Sequence, residues 1–315
     1  MKGQIIRPKS HEEWLQYRNQ GIGSSEVATI LGLNPWETPY QLWRRKKGID
    51  APKVENFAMR AGHYLEDAVS RFYTDETARD IIKRSAGDWI VADKAMPFLR
   101  VSPDRLFWID RTAKRNEDNK GILECKTTQL KIDADNLPMH WFCQLQYQLG
   151  VAGYTEGALA WLTQGREFGY KNIVFDATFY DYMTEQVAEY WERYIVGDEE
   201  PAAYSVDDVV IKYARHTDGK FVTAATDVIA AAVRLKEIKT QLAELDKAKA
   251  EQEGIIKMAI GDAEGITDDT GKVLATWKAG KPKSSFDTNR FAAEHPEEYA
   301  DYVIEKAASR MFLLK

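Results

Sequence analysis

Two carboxylates and a lysine on neighbouring predicted strands form the segment with the clearest chemical content. Glu124 and Lys126 are two residues apart, so in a strand their side chains project from one face while Cys125 projects from the other. Asp104 begins the preceding strand, and hairpin pairing would bring its carboxylate beside Glu124. Carboxylate oxygens suit Mg²⁺, and a lysine beside them can orient or deprotonate an attacking water. The pattern predicts a metal site that hydrolyses a phosphodiester, with the metal stabilising the leaving 3′ oxygen.

Glu66 and Gln144 are further candidates for this site. Glu66 lies at the edge of the apolar face of a helix predicted over 57–77, where it could add a carboxylate ligand. Gln144 belongs to a helix predicted over 139–152 and shares one face with Tyr147 and Gln148. An amide on this face could hold the attacking water or the scissile phosphate. Taken singly, each of these motifs, including Glu-x-Lys, is also typical of an ordinary solvated surface.

An anion site is predicted near the start of the chain. Gly21-Ile22-Gly23 precedes a helix that begins at Ser24 or Ser25, so backbone N–H groups and serine hydroxyls offer hydrogen-bond donors. Arg18 adds a positive charge beside them. The alternative is a plain helix N-cap at Ser24 or Ser25.

These motifs occur in an order that resembles the YqaJ-type viral recombinases. That family is similar to lambda exonuclease within the Asp…Glu-x-Lys nuclease superfamily, PD-(D/E)XK, of restriction-endonuclease-like fold. The matching stretches are Arg18–Trp36, Arg60–Phe72, Ser102–Asp104, Glu124–Lys126 and Gln144–Tyr147.

The resemblance implies an activity, a cofactor and partners. The activity is a metal-dependent 5′→3′ exonuclease that digests one strand of linear double-stranded DNA with a 5′-phosphate. It leaves a 3′ single-stranded overhang for a single-strand annealing protein. Mg²⁺ is the expected metal, with Mn²⁺ as a substitute. A homo-oligomer, a ring-shaped trimer as in lambda exonuclease, is implied as well, and so is a phage or prophage protein in the bacterial cytoplasm.

The resemblance also implies roles for residues of this chain. The implied metal ligands are Asp104, Glu124, Glu66 and the backbone carbonyl of Cys125. The implied catalytic residues are Lys126, Glu124, Asp104 and Gln144. The residues implied to bind the 5′-phosphate are Arg18, Ser25 and Ser24.

Two other functions stay open. A structure-specific or nicking DNA endonuclease would use the same chemistry on another substrate. A DNA-binding scaffold with an idle nuclease site fits the chain less well, because an idle site has no reason to keep Asp104, Glu124 and Lys126 together.

The elements that must position these residues alternate between helical and strand patterns. Helices are predicted over 10–20, from Ser24 or Ser25 to about Leu31, from Thr38 to Arg44–Lys47, and over 57–77, 139–152 and 177–196. Strands are predicted over 89–92, 98–102, 104–109, 121–127, 157–164 and 169–175. This order predicts an α/β fold, a restriction-endonuclease-like core with a central mixed β-sheet flanked by helices.

The pattern also predicts how the chain is divided. The predicted parts are an exonuclease core over 1–205, a linker over 206–222 and a C-terminal extension over 223–315 that combines a long helix with a β-hairpin. The extension has no counterpart in lambda exonuclease, although such tails look familiar among the YqaJ-type proteins.

The long helix of the extension is predicted over 225–261. A heptad seam from Val228 to Leu245 runs along it, and the helix either continues to its end or folds back near Gly254. A hairpin, a last helix near 287–304 and a terminal strand are expected after it.

Composition excludes several classes of protein. The 315 residues include 43 Lys plus Arg and 49 Asp plus Glu, a net charge of −6 that on average disfavours nucleic acid. The charge is uneven, since 1–49 carries eight basic and four acidic residues while 180–208 carries nine acidic and one basic. Two cysteines are too few for a four-Cys zinc or iron–sulfur site. No apolar run suits a membrane span or a signal peptide, so a cytoplasmic protein is expected.

Overall fold

A computed structural model describes residues 3–51, 56–82, 89–304 and 309–314 of the chain. It divides into two units, Met1–Lys212 and Tyr213–Lys315. A helix within the predicted linker, Val206–Lys212, belongs to the first unit. Its Asp208 is buried and accepts a hydrogen bond from the Thr38 hydroxyl at 3.0 Å, which anchors this helix.

Two mixed β-sheets form the framework of the first unit. Its strands, in chain order, are β1 (Gln4–Ile6), β2 (Ile22–Gly23), β3 (Ile81–Ile82), β4 (Ile90–Ala92), β5 (Leu99–Val101), β6 (Arg105–Trp108), β7 (Lys120–Thr128), β8 (Glu156–Thr163) and β9 (Glu167–Val174). One sheet has the order β3-β6-β7-β8-β9, with β7 and β8 parallel. The other has the order β1-β4-β5-β2, with β2 and β5 parallel.

The mixed character of the sheet was predicted correctly, and its division into two was not. The strands predicted over 89–92 and 98–102 belong to the smaller sheet, whereas those over 104–109 and 121–127 belong to the larger one. Pro103 separates the two groups, because proline has no N–H to continue a ladder and restricts the residue before it.

Helices surround these sheets and confirm the α/β prediction. The helices of the first unit are α1 (His11–Asn19), α2 (Ser24–Ile30), α3 (Pro39–Lys46), α4 (Phe57–Thr77), α5 (Met139–Ala152), α6 (Ala177–Tyr190) and α7 (Val206–Lys212). Ser10 and Thr38 cap α1 and α3 as predicted. After α6 the chain continues as a π-helical turn, Trp191–Val196.

Helices α4 and α5 pack on opposite faces of the larger sheet. Successive residues of β7 point to opposite faces. Leu123 and Cys125 pack with Val69 of α4, whereas Ile122 packs in the cluster formed with α5. Glu124 therefore faces α5, in spite of its charge.

The start of α2 differs from the prediction. Its N-cap is Gly23, not Ser24 or Ser25. The cause is Glu26, whose carboxylate reaches back to accept the Gly23 N–H at 2.8 Å. Because a carboxylate caps this helix, both serine hydroxyls are left for other hydrogen bonds.

The second unit is dominated by one long helix. Its elements are α8 (Thr226–Ile260), β10 (Gly265–Thr267), β11 (Val273–Thr276), α9 (Thr288–Glu294) and α10 (Pro296–Tyr302). Helix α8 runs through Gly254 without a break, so the first of the two alternatives for this segment is the correct one.

Two predictions at the end of the chain are wrong. The single helix near 287–304 is two short helices, because Pro296 cannot donate to the preceding turn and starts a new helix. Residues 309–314, the last ones described, form no strand. Within the described ranges, no helix is long and apolar enough to cross a bilayer.

The contact between α5 and α6 predicts the effect of a single methyl group. A Cβ on Gly150 would lie 2.2 Å from the ring of Tyr180, inside van der Waals contact. We expect Gly150→Ala to lower the free energy of unfolding by roughly 2 kcal/mol, measured by urea denaturation, since overpacking of this kind forces neighbours to move.

Gly62→Ala on α4 is the matched control. A Cβ there meets only the Thr127 hydroxyl at 3.9 Å, an ordinary contact. This variant should keep wild-type stability or gain up to about 1 kcal/mol from helix propensity. Equal stability of the two variants would contradict the close packing of α5 on α6.

Candidate active site

The β6–β7 hairpin brings Asp104 to the middle of β7. Arg105 pairs with Leu123 in the antiparallel ladder, so Asp104 stands level with Glu124, one residue before β6 begins. The Asp104 Oδ2 atom accepts the backbone N–H of Cys125 at 2.8 Å. In an antiparallel ladder the N–H and C=O of one residue point to the same edge of the strand. The Cys125 carbonyl therefore points toward the Asp104 side, as its predicted role requires.

Glu124 is a buried carboxylate whose oxygens accept from three side chains. It is 2% exposed. Its Oε1 accepts from Lys126 Nζ at 2.7 Å and from the Gln144 amide, and its Oε2 accepts from Gln148 Nε2 at 2.8 Å. These charged and amide donors compensate the cost of taking an ionised group out of water.

Lys126 is held as an ammonium ion. Its Nζ donates to Glu124 Oε1 and, at 2.8 Å, to Gln144 Oε1. Burial alone would lower the pKa of Lys126, but the charges of Glu124 and Asp104 outweigh burial and raise it. An ammonium ion in this position can orient a group by donating hydrogen bonds, which is one of the two roles that the sequence left open for this lysine.

Asp104 is strained electrostatically. Burial raises its pKa well above the ordinary value, and the nearby charges of Glu124 and Glu66 raise it further. Lys126 and the Cys125 N–H offset only part of this. Hard carboxylate oxygens that repel one another in a cavity are the donor set that a divalent cation such as Mg²⁺ suits.

The Glu66 carboxylate has two partners of its own. It comes from α4, which packs on the face of the sheet opposite to Glu124, and Arg105 and His63 contact its carboxylate at 3.3 and 3.1 Å. Among the residues that the structure describes, no group of three His, Cys, Asp or Glu side chains is arranged to hold a metal ion.

The residues predicted to bind an anion meet at the start of α2. Arg18 Nη2 donates to Ser25 Oγ at 2.9 Å, and the guanidinium lies over the ring of Trp14, with 5.1 Å to the ring centroid. Ser25 is exposed and Ser24 is buried. Backbone N–H groups of the first helical turn have no intrahelical acceptor, so they can face an anion.

A buried ion pair fixes the turn that leads into this site. Glu26, which caps α2, forms salt bridges with Lys46 at 2.8 Å and Arg45 at 2.9 Å. Burial would raise the pKa of Glu26, but the charges of Lys46, Arg45 and Arg18 bring it down to about 2. Lys46 also donates to the Gly21 carbonyl at 2.6 Å, so the turn is held from both sides.

All of the predicted site residues line two adjoining cavities. The larger, of about 820 Å³, is lined among others by Arg18, Ser24, Ser25, Glu66, Asp104, Lys126 and Gln144. Glu124 and Cys125 line a cavity of about 430 Å³ that shares several of these residues. The structure thus places the acid–acid–lysine group and the residues predicted to bind an anion around the same space.

One residue of the site was missed in the sequence, and one was only partly predicted. Gln148 shares a helical face with Gln144 and was a candidate from that spacing, but its contacts with Glu124 and Ser24 were not predicted. Arg105 follows Asp104 directly, but its ion pairs with Glu66 and Asp67 depend on how α4 packs.

Comparison with known proteins identifies similar sequences. Residues 13–155 match the YqaJ-like viral recombinase domain. The chain is 30% identical over 306 residues to the uncharacterized protein YqaJ of Bacillus subtilis (strain 168), covering 92% of this chain and 90% of that protein.

Two solved structures are also similar to the chain. LHK-Exo in complex with dAMP is 16% identical with a TM-score of 0.46, covering 59% of this chain and 93% of that chain. The alkaline exonuclease LHK-Exo from Laribacter hongkongensis is 18% identical with a TM-score of 0.44 at the same coverage.

The electrostatic strain on Asp104 predicts a stability effect. Because the pKa of this acid is raised in the folded state, its ionisation at neutral pH costs the folded protein free energy that the unfolded chain does not lose. We expect Asp104→Asn, without divalent cations, to raise the free energy of unfolding by roughly 1 kcal/mol. The gain should vanish at a pH low enough for Asp104 to be protonated in both states.

Addition of Mg²⁺ should reverse the order of stability. The wild-type protein gains stability that rises with the logarithm of the Mg²⁺ concentration over its Kd, whereas the variant, which binds the cation weakly, gains little. Thermal unfolding with Mg²⁺ and with chelator measures both effects. A variant that is stabilised by Mg²⁺ as much as the wild type would remove Asp104 from the ligand set.

Proposed function

The chain belongs to the YqaJ-like viral recombinase family, and on this premise we propose that it is a metal-dependent nuclease of DNA. Its proposed reaction is the 5′→3′ digestion of one strand of linear double-stranded DNA, with a 3′ single-stranded overhang as the product. The observation that carries the proposal is the shared cavity. Residues that suit phosphodiester hydrolysis, Asp104 and Lys126, line it together with an anion site at Arg18.

The metal site consists of oxygen ligands at the end of the β6–β7 hairpin. Asp104, Glu124 and the Cys125 carbonyl would hold Mg²⁺ or Mn²⁺, with Glu66 as a further ligand. When bound, the cation would polarise the phosphoryl oxygen and stabilise the leaving 3′ oxygen. Burial and the repulsion from Glu124 and Glu66 together raise the pKa of Asp104, and a divalent cation would relieve this cost, which supports the assignment.

Lys126 acts as a donor in this reaction. Glu124 and Gln144 hold its ammonium group at two points, so its position is defined before substrate enters. A fixed ammonium in a cavity with little water stabilises negative charge that develops on the phosphate or the attacking oxygen. Gln144 contacts both Lys126 and Glu124, and its role is to hold the two side chains in position relative to each other.

The residues at the start of α2 would give the enzyme its preference for a 5′-phosphorylated DNA end. A terminal 5′-phosphate carries more charge than an internal phosphodiester, and it would accept hydrogen bonds from Arg18, Ser24, Ser25 and the first backbone N–H groups of the helix. Binding of this group would place a phosphodiester near Lys126, so cleavage proceeds from the 5′ end.

The remaining proposals concern partners and location. The 3′ overhang would pass to a single-strand annealing protein. A homo-oligomer, a ring-shaped trimer, would keep the enzyme on DNA between cleavages, and its place of action would be the bacterial cytoplasm.

Replacement of Lys126 tests the chemistry. Lys126→Ala should lower the rate of digestion of 5′-phosphorylated linear duplex at least about 100-fold, because it removes a charged donor from the reacting phosphate. Release of acid-soluble nucleotides with Mg²⁺, and with chelator as a blank, measures the rate.

Lys120→Ala is the matched control, since Lys120 lies on the same strand but pairs with Glu117. It should digest DNA at the wild-type rate. The wild-type protein and Lys120→Ala should both leave covalently closed circular duplex intact. Cleavage of the circular duplex would favour the endonuclease instead. Full activity of Lys126→Ala would contradict the assigned role, and a wild-type protein that binds DNA without cleaving it would favour the scaffold.

Replacement of Arg18 tests the phosphate site. The wild-type enzyme should digest 5′-phosphorylated duplex faster than 5′-hydroxyl duplex, and Arg18→Ala should reduce this ratio roughly tenfold by removing a charged hydrogen bond. Arg44→Ala serves as the control, because Arg44 lies in the last turn of α3 and pairs with Asp50, which follows the helix. An unchanged ratio in Arg18→Ala would exclude Arg18 from end recognition.

A further inference from the structure

Gln148 lies between the anion site and the buried carboxylate. It is on α5, one helical turn after Gln144, and is 0% exposed. Its single amide nitrogen donates to Glu124 Oε2 at 2.8 Å and to Ser24 Oγ at 3.2 Å. An amide nitrogen has two hydrogens, so both are used by these two partners.

The orientation of this amide is set by charge. Gln148 Oε1 is buried and has no hydrogen-bond partner among the described residues. Rotating the amide by a half-turn would bring this oxygen against the Glu124 carboxylate, oxygen facing oxygen. The N–H group therefore has to face Glu124, and the Ser24 contact follows from that orientation.

The contact with Gln148 also orients the Ser24 hydroxyl. A hydroxyl that accepts a hydrogen bond on one side keeps its own hydrogen for an acceptor elsewhere. Ser24 lines the larger cavity at the first position of α2. Its hydrogen is thus directed away from Gln148, and an anion in the cavity is a suitable acceptor.

The link between α5 and the start of α2 is firmly packed. The neighbouring Tyr147 is fully buried, and its hydroxyl donates to the Ile22 carbonyl of β2 at 3.2 Å. Tyr147 also packs in one core cluster with Val27 of α2. A shift of Ser24 is therefore transmitted to the Gln148 amide and is not absorbed by loose side chains.

We propose that Gln148 is a positioning residue that holds Ser24 as a phosphate donor and Glu124 as a metal ligand on one amide. Occupancy of the 5′-phosphate site is thereby coupled to the placement of the catalytic carboxylate. This inference rests on the proposed function, because it takes the phosphate and metal roles of these two residues from it.

The test is a double-mutant cycle on binding rather than on cleavage. The full chain is titrated onto a fluorescent blunt duplex with a 5′-phosphate or a 5′-hydroxyl, with Ca²⁺ in place of Mg²⁺. The ratio of the two dissociation constants is compared in wild type, Ser24→Ala, Gln148→Met and the double variant. Methionine keeps the volume of Gln148 and removes its hydrogen bonds.

Each single variant should lower the phosphate preference by roughly tenfold or more, as expected for the loss of one hydrogen bond to a charged group. The double variant should be no more than about twofold below the lower single variant, because both changes break the same link. A Gln148→Met protein with the wild-type ratio would overturn the proposal. So would losses that multiply in the double variant, since a merely structural glutamine acts independently of Ser24.

Two further variants provide a second test and a control. Gln148→Asn keeps the amide but shortens its reach, and it should show the same fall even if Gln148→Met fails to fold. Gln146→Met is the control: Gln146 is equally buried on α5, but it bonds to Val174 and Asp176, so its phosphate preference should equal that of wild type.

Failure of this inference can be told from failure of the proposed function. A wild-type protein without any phosphate preference overturns the coupling, while digestion of linear DNA still supports the nuclease. The expected cycle in a protein that never cleaves DNA supports the coupling and contradicts the nuclease.

Discussion

The buried charge of Glu124 is the constraint on which this region of the first unit depends. An unpaired carboxylate in a protein interior costs several kcal/mol, and on β7 this one is only 2% exposed because α5 covers its face of the sheet. Its donors come from two elements, Lys126 from β7 and two glutamines from α5. The charge of Glu124 therefore depends on the packing of α5 against the sheet, because a shift of α5 would remove two of the three donors to this carboxylate.

Much of the basic cluster near the start of the chain is neutralised by ion pairs within this unit. Each residue of the basic run Arg44–Lys47 pairs with a carboxylate. Lys46 in particular has a nearly inaccessible side chain and stabilises a turn. The net charge of −6 consequently says little about the larger cavity, which is lined by both basic side chains, Arg18 and Lys126, and carboxylates.

Local patterns were sufficient for much of the fold and for the centre of the site. The apolar period placed α4 and α5, and alternation along β7 put Glu124 and Lys126 on one face with Asp104 beside them. Features that depend on distant residues were missed. Gly23 caps α2 only because Lys46 and Arg45 hold Glu26 in place, and the assignment of strands to two sheets depends on how Pro103 redirects the chain. The strands β1 and β3 are too short for any period to show.

The low pKa of Glu26 bears on how phosphate binding near α2 would depend on pH. With its pKa at about 2, it stays ionised throughout the neutral range. The carboxylate that caps α2 therefore keeps the same charge at every physiological pH. A phosphate monoester does not, because its second pKa is about 6. A pH dependence of phosphate binding near pH 6 would therefore not arise from Glu26 and would include the protonation of the ligand.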